Sequence, residues 1–294
     1  MIIFERPLAG VIRYRKVFFP RKDQLVELVQ HLRPMDLVRV FSAPAICSGY
    51  IRPIACEDGQ TSFVDLTKGH DAIYAGMHAN CRYKVRRAQK MCNRIDIVMN
   101  TEAARSDFLA LHNRFVRAKP RMPVVTPKRF NEYLPHADIF MLYFDGQPTC
   151  GRLVLRDMES RIALMMYSAT KRLDEGADTI TVGILNRYLH WHEMKTYQAA
   201  GIEKYDFGGA GSVRPSLTQF KRSFGGQLIP YHYTCYAGSA WIAWRLAHSL
   251  YMKWTGQSVD ISIPSKELLR GCFENVRAIR QWVERGLGAK AISK

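Results

Sequence analysis

The sequence has no run of 18 uncharged apolar residues, so no membrane-spanning helix is expected. The longest approach, Ala237 to Leu250, is interrupted by Arg245 and His248. The first residues, MIIFERPLAGVIRYRK, carry Glu5, Arg6, Arg13 and Arg15 and lack the apolar run of a signal peptide. Cysteines number seven, an odd count without a CxxC pair, which excludes a disulfide framework and a zinc framework and suits reduced thiols in a cytoplasmic protein. No Walker P-loop, no GxGxxG after a strand and no GxSxG nucleophile elbow occur. A zinc helix is also excluded. His190-Trp191-His192-Glu193 has Thr196 where HExxH needs histidine, and the two histidines point about 200° apart on a helix. No metal is expected.

Acidic residues are scarce. Asp plus Glu is 26 against 43 for Lys plus Arg, a net charge of +17. That balance favours an anionic partner: nucleic acid, a phosphorylated substrate, an acidic carrier protein or an anionic membrane surface. Two stretches, 82–94 and 114–129, each hold six Lys/Arg and no acid. At 47% hydrophobic and 23% charged, the rest is ordinary globular composition, which excludes a disordered or collagenous chain.

Patterning gives the elements. Strands are expected within 1–19, and Leu25, Leu28, Val29 and Leu32 mark a helix over 22–32. Residues 48–66 read as two strands joined by a turn at Asp58-Gly59. A basic helix is expected over 71–94, with Cys81, Val85, Ala88 and Cys92 on one face. A strand at 95–99, a helix over 101–118 and a short helix over 129–134 follow. Three strands come next, at 138–144, 149–157 and 161–168, the first two joined by Asp145-Gly146. A long helix spans 179–199, closed by Gly201. Then come a strand at 203–207, a short helix at 216–223, a strand at 227–236, and helices over 239–253 and 265–286. This order argues α+β with a mixed sheet and not a doubly wound nucleotide fold.

One stretch stands apart: Tyr205-Asp206-Phe207-Gly208-Gly209, a loop, then Phe220-Lys221-Arg222-Ser223-Phe224-Gly225-Gly226. A strand ends on two glycines that allow close backbone approach, and a short helix then presents Phe220 and Lys221. This pattern resembles the C-terminal signature of the FemABX-like branch of the GNAT acyltransferase superfamily. Val64-Asp65-Leu66 followed by Arg82-Tyr83-Lys84-Val85-Arg86-Arg87-Ala88-Gln89-Lys90 is similar to an upstream pattern of the same branch. The resemblance covers roughly 60–236. It implies a GNAT-like mixed β-sheet flanked by helices, with a reduced N-terminal GNAT-like unit (1–97), an acyltransferase domain (98–236) and a helical C-terminal extension (237–294).

It also implies function. An N-acyltransferase would move an acyl or aminoacyl group from an activated donor to an amine of a small or cell-envelope-related acceptor. The donor, an acyl-CoA, an acyl-carrier protein or an aminoacyl-tRNA, is a co-substrate, with no tightly bound cofactor. Lys221 would stabilise the oxyanion, and Asp206 would orient the amine or take its proton. Phe220, Tyr167 and Ser168 would line the substrate, and Arg129, Tyr133 and Arg86 would meet phosphate groups. The family's helical arm linked to tRNA binding has no counterpart here. Arg172-Leu173-Asp174-Glu175-Gly176-Ala177 departs from an acetyl-CoA pyrophosphate loop by one residue and two acids. The alternative is a non-catalytic, basic RNA-binding protein on a degenerate GNAT scaffold. Trp241, Trp244, Tyr251, Met252 and Trp254, with Arg245 and Lys253, carry an option of contact with the inner face of the membrane.

Overall fold

Local signals place most elements. A computed structural model of the chain describes residues 1–8, 12–41, 53–119, 124–210 and 215–243. The elements are β1 (Ile2–Leu8), β2 (Ile12–Phe18), α1 (Lys22–Gln30), β3 (Asp36–Phe41), β4 (Ala55–Asp65), α2 (His70–Gly76), α3 (Ala79–Gln89), β5 (Ile95–Met99), α4 (Glu102–Arg117), α5 (Pro127–Tyr133), β6 (Ala137–Phe144), β7 (Gln147–Asp157), β8 (Ile162–Thr170), α6 (Thr179–Ala199), β9 (Lys204–Ala210), α7 (Pro215–Arg222) and β10 (Gln227–Ala237). Thr101 caps α4 by accepting from Ala104 N–H, and Asp178 caps α6 by accepting from Ile180 and Thr181 N–H. Asp145 and Gly146 both have positive φ, 50° and 74°, the geometry that turns β6 into β7.

The chain divides into two compact units: Met1–Phe4 with Val17–Arg21 and Asp58–His232, and Glu5–Lys16 with Lys22–Glu57 and Tyr233–Lys294. In the first, strands lie in the order β4-β9-β8-β7-β6-β5. Every neighbouring pair is antiparallel except β8 and β9, which are parallel. Helices cover both faces. Along β6, Phe140 and Leu142 pack with Val182, Leu185 and Leu189 of α6. The alternate residue Met141 turns the other way, toward Phe108 of α4, where both side chains crowd Gly151. This is the mixed, helix-flanked sheet that the order of elements in the sequence predicts.

In the second unit, β3 pairs antiparallel with Thr234–Ala237 of β10. Ile12, Tyr14, Leu37 and Trp241 form its core. Asp36, buried, accepts from the guanidinium groups of Arg13 and Arg15 and from Arg33 N–H. Burial alone would raise its pKa, but these donors bring it down to about 2.

Two expectations are corrected. Asp58-Gly59 is not a turn, because β4 runs straight through it. The ring of Tyr231 fills the space where a Cβ on residue 59 would sit, so the glycine serves a close approach within extended structure. The helix expected over 71–94 is two helices and a 3-10 turn at Cys92–Arg94. Met77 and His78 are extended between α2 and α3, Met77 is buried in the core, and Arg82 donates back to the carbonyls of Ala75 and Met77. Helices expected over 239–253 and 265–286 fall outside the described residues from 244 onward.

Candidate acyl-transfer site

The site is set where the two parallel strands part. Pairing of β8 with β9 stops at Leu164↔Asp206, although β8 runs on to Thr170 and β9 to Ala210. Each strand carries a bulge at this point. On β8, Leu153↔Tyr167 is followed by Val154↔Met165, leaving Met166 without a partner on β7. On β9, Thr61↔Gly209 is followed by Phe63↔Asp206, so Phe207 and Gly208 together oppose Ser62 of β4. Bulges bend a strand and re-aim its side chains, and they gather beside functional sites. Gly208 takes φ 72°, and a Cβ there would lie 3.4 Å from Met165 O. Gly208→Ala should therefore cost about 1–2 kcal/mol of backbone strain, read as a lower urea midpoint with an unchanged m-value.

Lys221 and Asp206 meet at this bulge. Lys221 is only 4% exposed, and its Nζ donates to the carbonyls of Gly208 (2.9 Å) and Gly209 (2.6 Å). Asp206 is also buried. Its Oδ1 accepts from Gly208 N–H at 2.7 Å and from the Thr61 hydroxyl. Burial raises the Asp206 pKa, opposed by Thr61, Gly208 N–H and the Lys221 charge. Both side chains thus hold the glycine turn, Lys221 by its carbonyls and Asp206 by the Gly208 N–H. A cation is fixed at the mouth of the strand divergence, and carboxylate and hydroxyl fix the backbone beneath it.

Phe220 packs on the adjoining core. Its ring lies 5.7 Å from His190 and 5.3 Å from Phe224, with the Arg187 guanidinium 4.8 Å from its centroid. A second group forms on α4, α5 and β8. Arg129 Nε and Nη2 donate to Tyr133 Oη at 3.4 Å, Tyr133 and Tyr167 hydroxyls are 3.4 Å apart, and the His112 and Tyr167 rings meet edge-on at 5.0 Å. Ser168 is half-buried, next along β8. Arg86 is exposed on α3, and among the described residues no hydrogen bond or ion pair ties it to either group.

Several residues that the sequence does not single out belong here: Thr61 under Asp206, His112 against Tyr167, and Arg187 over Phe220. Behind Phe220 lies a buried polar network. Arg152 Nη2 donates to Asn186 and to His190 Nε2 (3.0 Å), and Tyr205 Oη donates to Glu193. His190 Nδ1 lies 3.2 Å from Tyr205 Oη and 3.3 Å from Glu193 Oε2. The i,i+3 spacing of His190 and Glu193 was the one available signal, since it places both on one helix face.

Residues 77–222 match the family described as an acetyltransferase (GNAT) domain. No curated protein matches the sequence. Among solved structures the fold is similar to that of FemX, with a TM-score of 0.60 at 12% identity over 83% of this chain and 85% of that one. It is also similar to the C-terminal domain of an Agrobacterium fabrum protein described as a lysylphosphatidylglycerol synthetase, with a TM-score of 0.50 at 15% identity over 84% and 85%. At such identities the likeness is one of fold.

Proposed function

We propose that this chain, whose residues 77–222 match a GNAT acetyltransferase domain, is an acyltransferase of the FemABX-like type that transfers an acyl or aminoacyl group to an amine of a small or cell-envelope-related acceptor. The observation that carries the reading is the parting of β8 and β9 with a fixed ammonium at its mouth. Beyond Leu164 the facing backbone edges no longer pair with each other, and backbone N–H and C=O groups seek partners. An extended donor arm can bond to those edges as a further strand would. The described helices include none long and apolar enough to cross a membrane.

The reaction needs no covalent enzyme intermediate. The acceptor nitrogen attacks the donor carbonyl carbon, and negative charge builds on the carbonyl oxygen. The C–N bond forms, the C–S or C–O bond to the donor breaks, and the leaving group takes up the proton lost by nitrogen. A cation already in place at that oxygen lowers the barrier without reorganising. Lys221 supplies it, Asp206 and Thr61 hold the turn that positions Lys221, and Tyr167 and Ser168 on β8 border the arm. Arg129 with Tyr133 lies further along the wall and suits an anionic group of the acceptor.

The test is label transfer from radiolabelled acetyl-CoA, long-chain acyl-CoA, acyl-acyl-carrier protein and aminoacyl-tRNA to amino sugars, peptides and aminolipids. One donor class should label an amine, and the label should not move with Lys221→Ala. No transfer from any donor, with salt-sensitive RNA binding that survives Lys221→Ala, would replace this reading by the RNA-binding one.

A further inference from the structure

A cleft of about 710 Å³ opens in the first unit between α3, α6 and α7. His78, Cys81, Arg187, Gln219, Phe220 and Arg222 are among its walls. Its shape is held by His78 N–H donating to Ser223 O at 2.9 Å, which ties the start of α3 to the end of α7. Arg187 projects from the middle of α6. Its Nη1 donates to Gly183 O at 3.2 Å and its plane rests on Phe220, but its Nε is buried with no acceptor.

The positive charge around it is not neutralised. Among the described residues no salt bridge engages Arg187, Arg222, Lys84 or Arg172. Lys84 stands one turn along α3 from Cys81, and Arg172 precedes α6. These cations feel one another. Burial and then Arg187 lower the Lys84 pKa; burial lowers that of Arg187, the neighbouring Cys81 thiol opposes it, and Arg172 makes a smaller lowering contribution. Holding like charges together around a half-buried guanidinium is costly in itself and favourable once an anion of more than one charge joins them. A guanidinium fork matches the oxygens of phosphate, and the amides of Gln60, Asn80 and Gln219 in the same walls suit a polar ester attached to it.

We infer that this cleft binds a phosphate ester, with Arg187 as its main ligand, Arg222 beside it and Lys84 strengthening the field. The inference rests on the transferase reading only for where the phosphate comes from, the donor or the acceptor. The cleft adjoins the transfer site through Phe220 and does not include Lys221 among its walls, and phosphate binding is read without turnover, so binding and transfer can be measured apart.

The experiment is calorimetric titration of the full chain at low salt, without turnover, with inorganic pyrophosphate, adenosine 3′,5′-bisphosphate and a nucleoside diphosphate sugar. At least one should bind in a saturable way. Arg187→Met should weaken it tenfold or more, and Arg222→Gln several-fold. The exposed Lys90→Ala, at the C-cap of helix α3, should leave it unchanged. Because Arg187 also packs on Phe220, the thermal midpoint of each variant is taken alongside, and Arg222→Gln, at an exposed position, carries the test if Arg187→Met fails to fold. Tightest binding of the bisphosphate assigns the phosphate to the donor, and tightest binding of the sugar nucleotide assigns it to the acceptor. No binding of any probe, or equal weakening by Lys90→Ala and the arginine variants, would overturn the inference. Binding intact while no donor supports transfer would leave the cleft standing and remove the transferase reading.

Discussion

Replacing Lys221 by methionine is expected to lower kcat for acyl transfer about 10²–10³-fold, with KM changing far less. The size is that of losing one preorganised oxyanion donor, about 3–4 kcal/mol. The KM prediction follows from timing, because charge on the carbonyl oxygen appears only as the amine attacks, so the ammonium favours the transition state over the bound donor. Methionine keeps the unbranched stem inside a position that is 4% exposed, which limits cavity formation. The substitution still removes the donors to Gly208 O and Gly209 O. The variant should therefore be studied for rate and urea midpoint together. A rate that falls only in proportion to the loss of folded protein would show that Lys221 is a strut for the glycine turn and takes no part in the chemistry.

How much of this could be read from the sequence varies with the range of the forces involved. Where a signal is local, the reading holds. Asp145-Gly146 forms its hairpin because both residues tolerate positive φ. Helix α6 begins and ends at Thr179 and Ala199 as expected, fixed by Asp178 at one end and Gly201 at the other. Asp58-Gly59 carries the same dipeptide as the true turn, yet stays extended because a tyrosine more than 170 residues away lies on the glycine. The break at Met77-His78 is equally silent, since the apolar pattern of Cys81, Val85 and Ala88 continues smoothly on its far side.

The site divides in the same way. Lys221, Phe220 and the glycine pair of β9 are contiguous in two short motifs, so they could be named. Their partners come from elsewhere: Thr61 from β4, Arg187 from α6, His112 from α4. Their places depend on the strand order, in which β4 lies beside β9 although nearly 140 residues separate them in sequence. Arg129 and Tyr133 are paired by helical spacing alone, but their link to Tyr167 required the packing of α5 against the sheet.

Arg152→Met should be the most damaging substitution away from the site, costing about 3–5 kcal/mol of stability. The side chain is wholly buried and donates to Gly151 O, Asn186 and His190, with Nε 3.8 Å from Glu193 Oε1. Without it the Glu193 carboxylate stays inside the core facing only Tyr205 and His190, and adding Glu193→Gln should recover part of the loss. The pH dependence gives a sharper check. Burial first, and the Arg152 charge second, push the His190 pKa down to about 4, so the folded protein keeps this imidazole neutral. An unfolded histidine takes a proton near pH 6.5. Between about 6.5 and 4 the unfolded chain binds more protons, so stability must fall as pH falls through that window, by about 3 kcal/mol at most. His112 and His192, also lowered by burial, act in the same sense. Asp206, raised by burial, acts in the opposite sense, its cost growing as pH rises above the ordinary carboxylate range. Urea midpoints measured between pH 4.5 and 7.5 should show the acid decline in the wild type. In Arg152→Met the imidazole loses its cationic neighbour and keeps Glu193, so its pKa rises and the decline should become shallower. An unchanged slope in that variant would mean that desolvation alone keeps His190 neutral and that the guanidinium contributes only packing and hydrogen bonds.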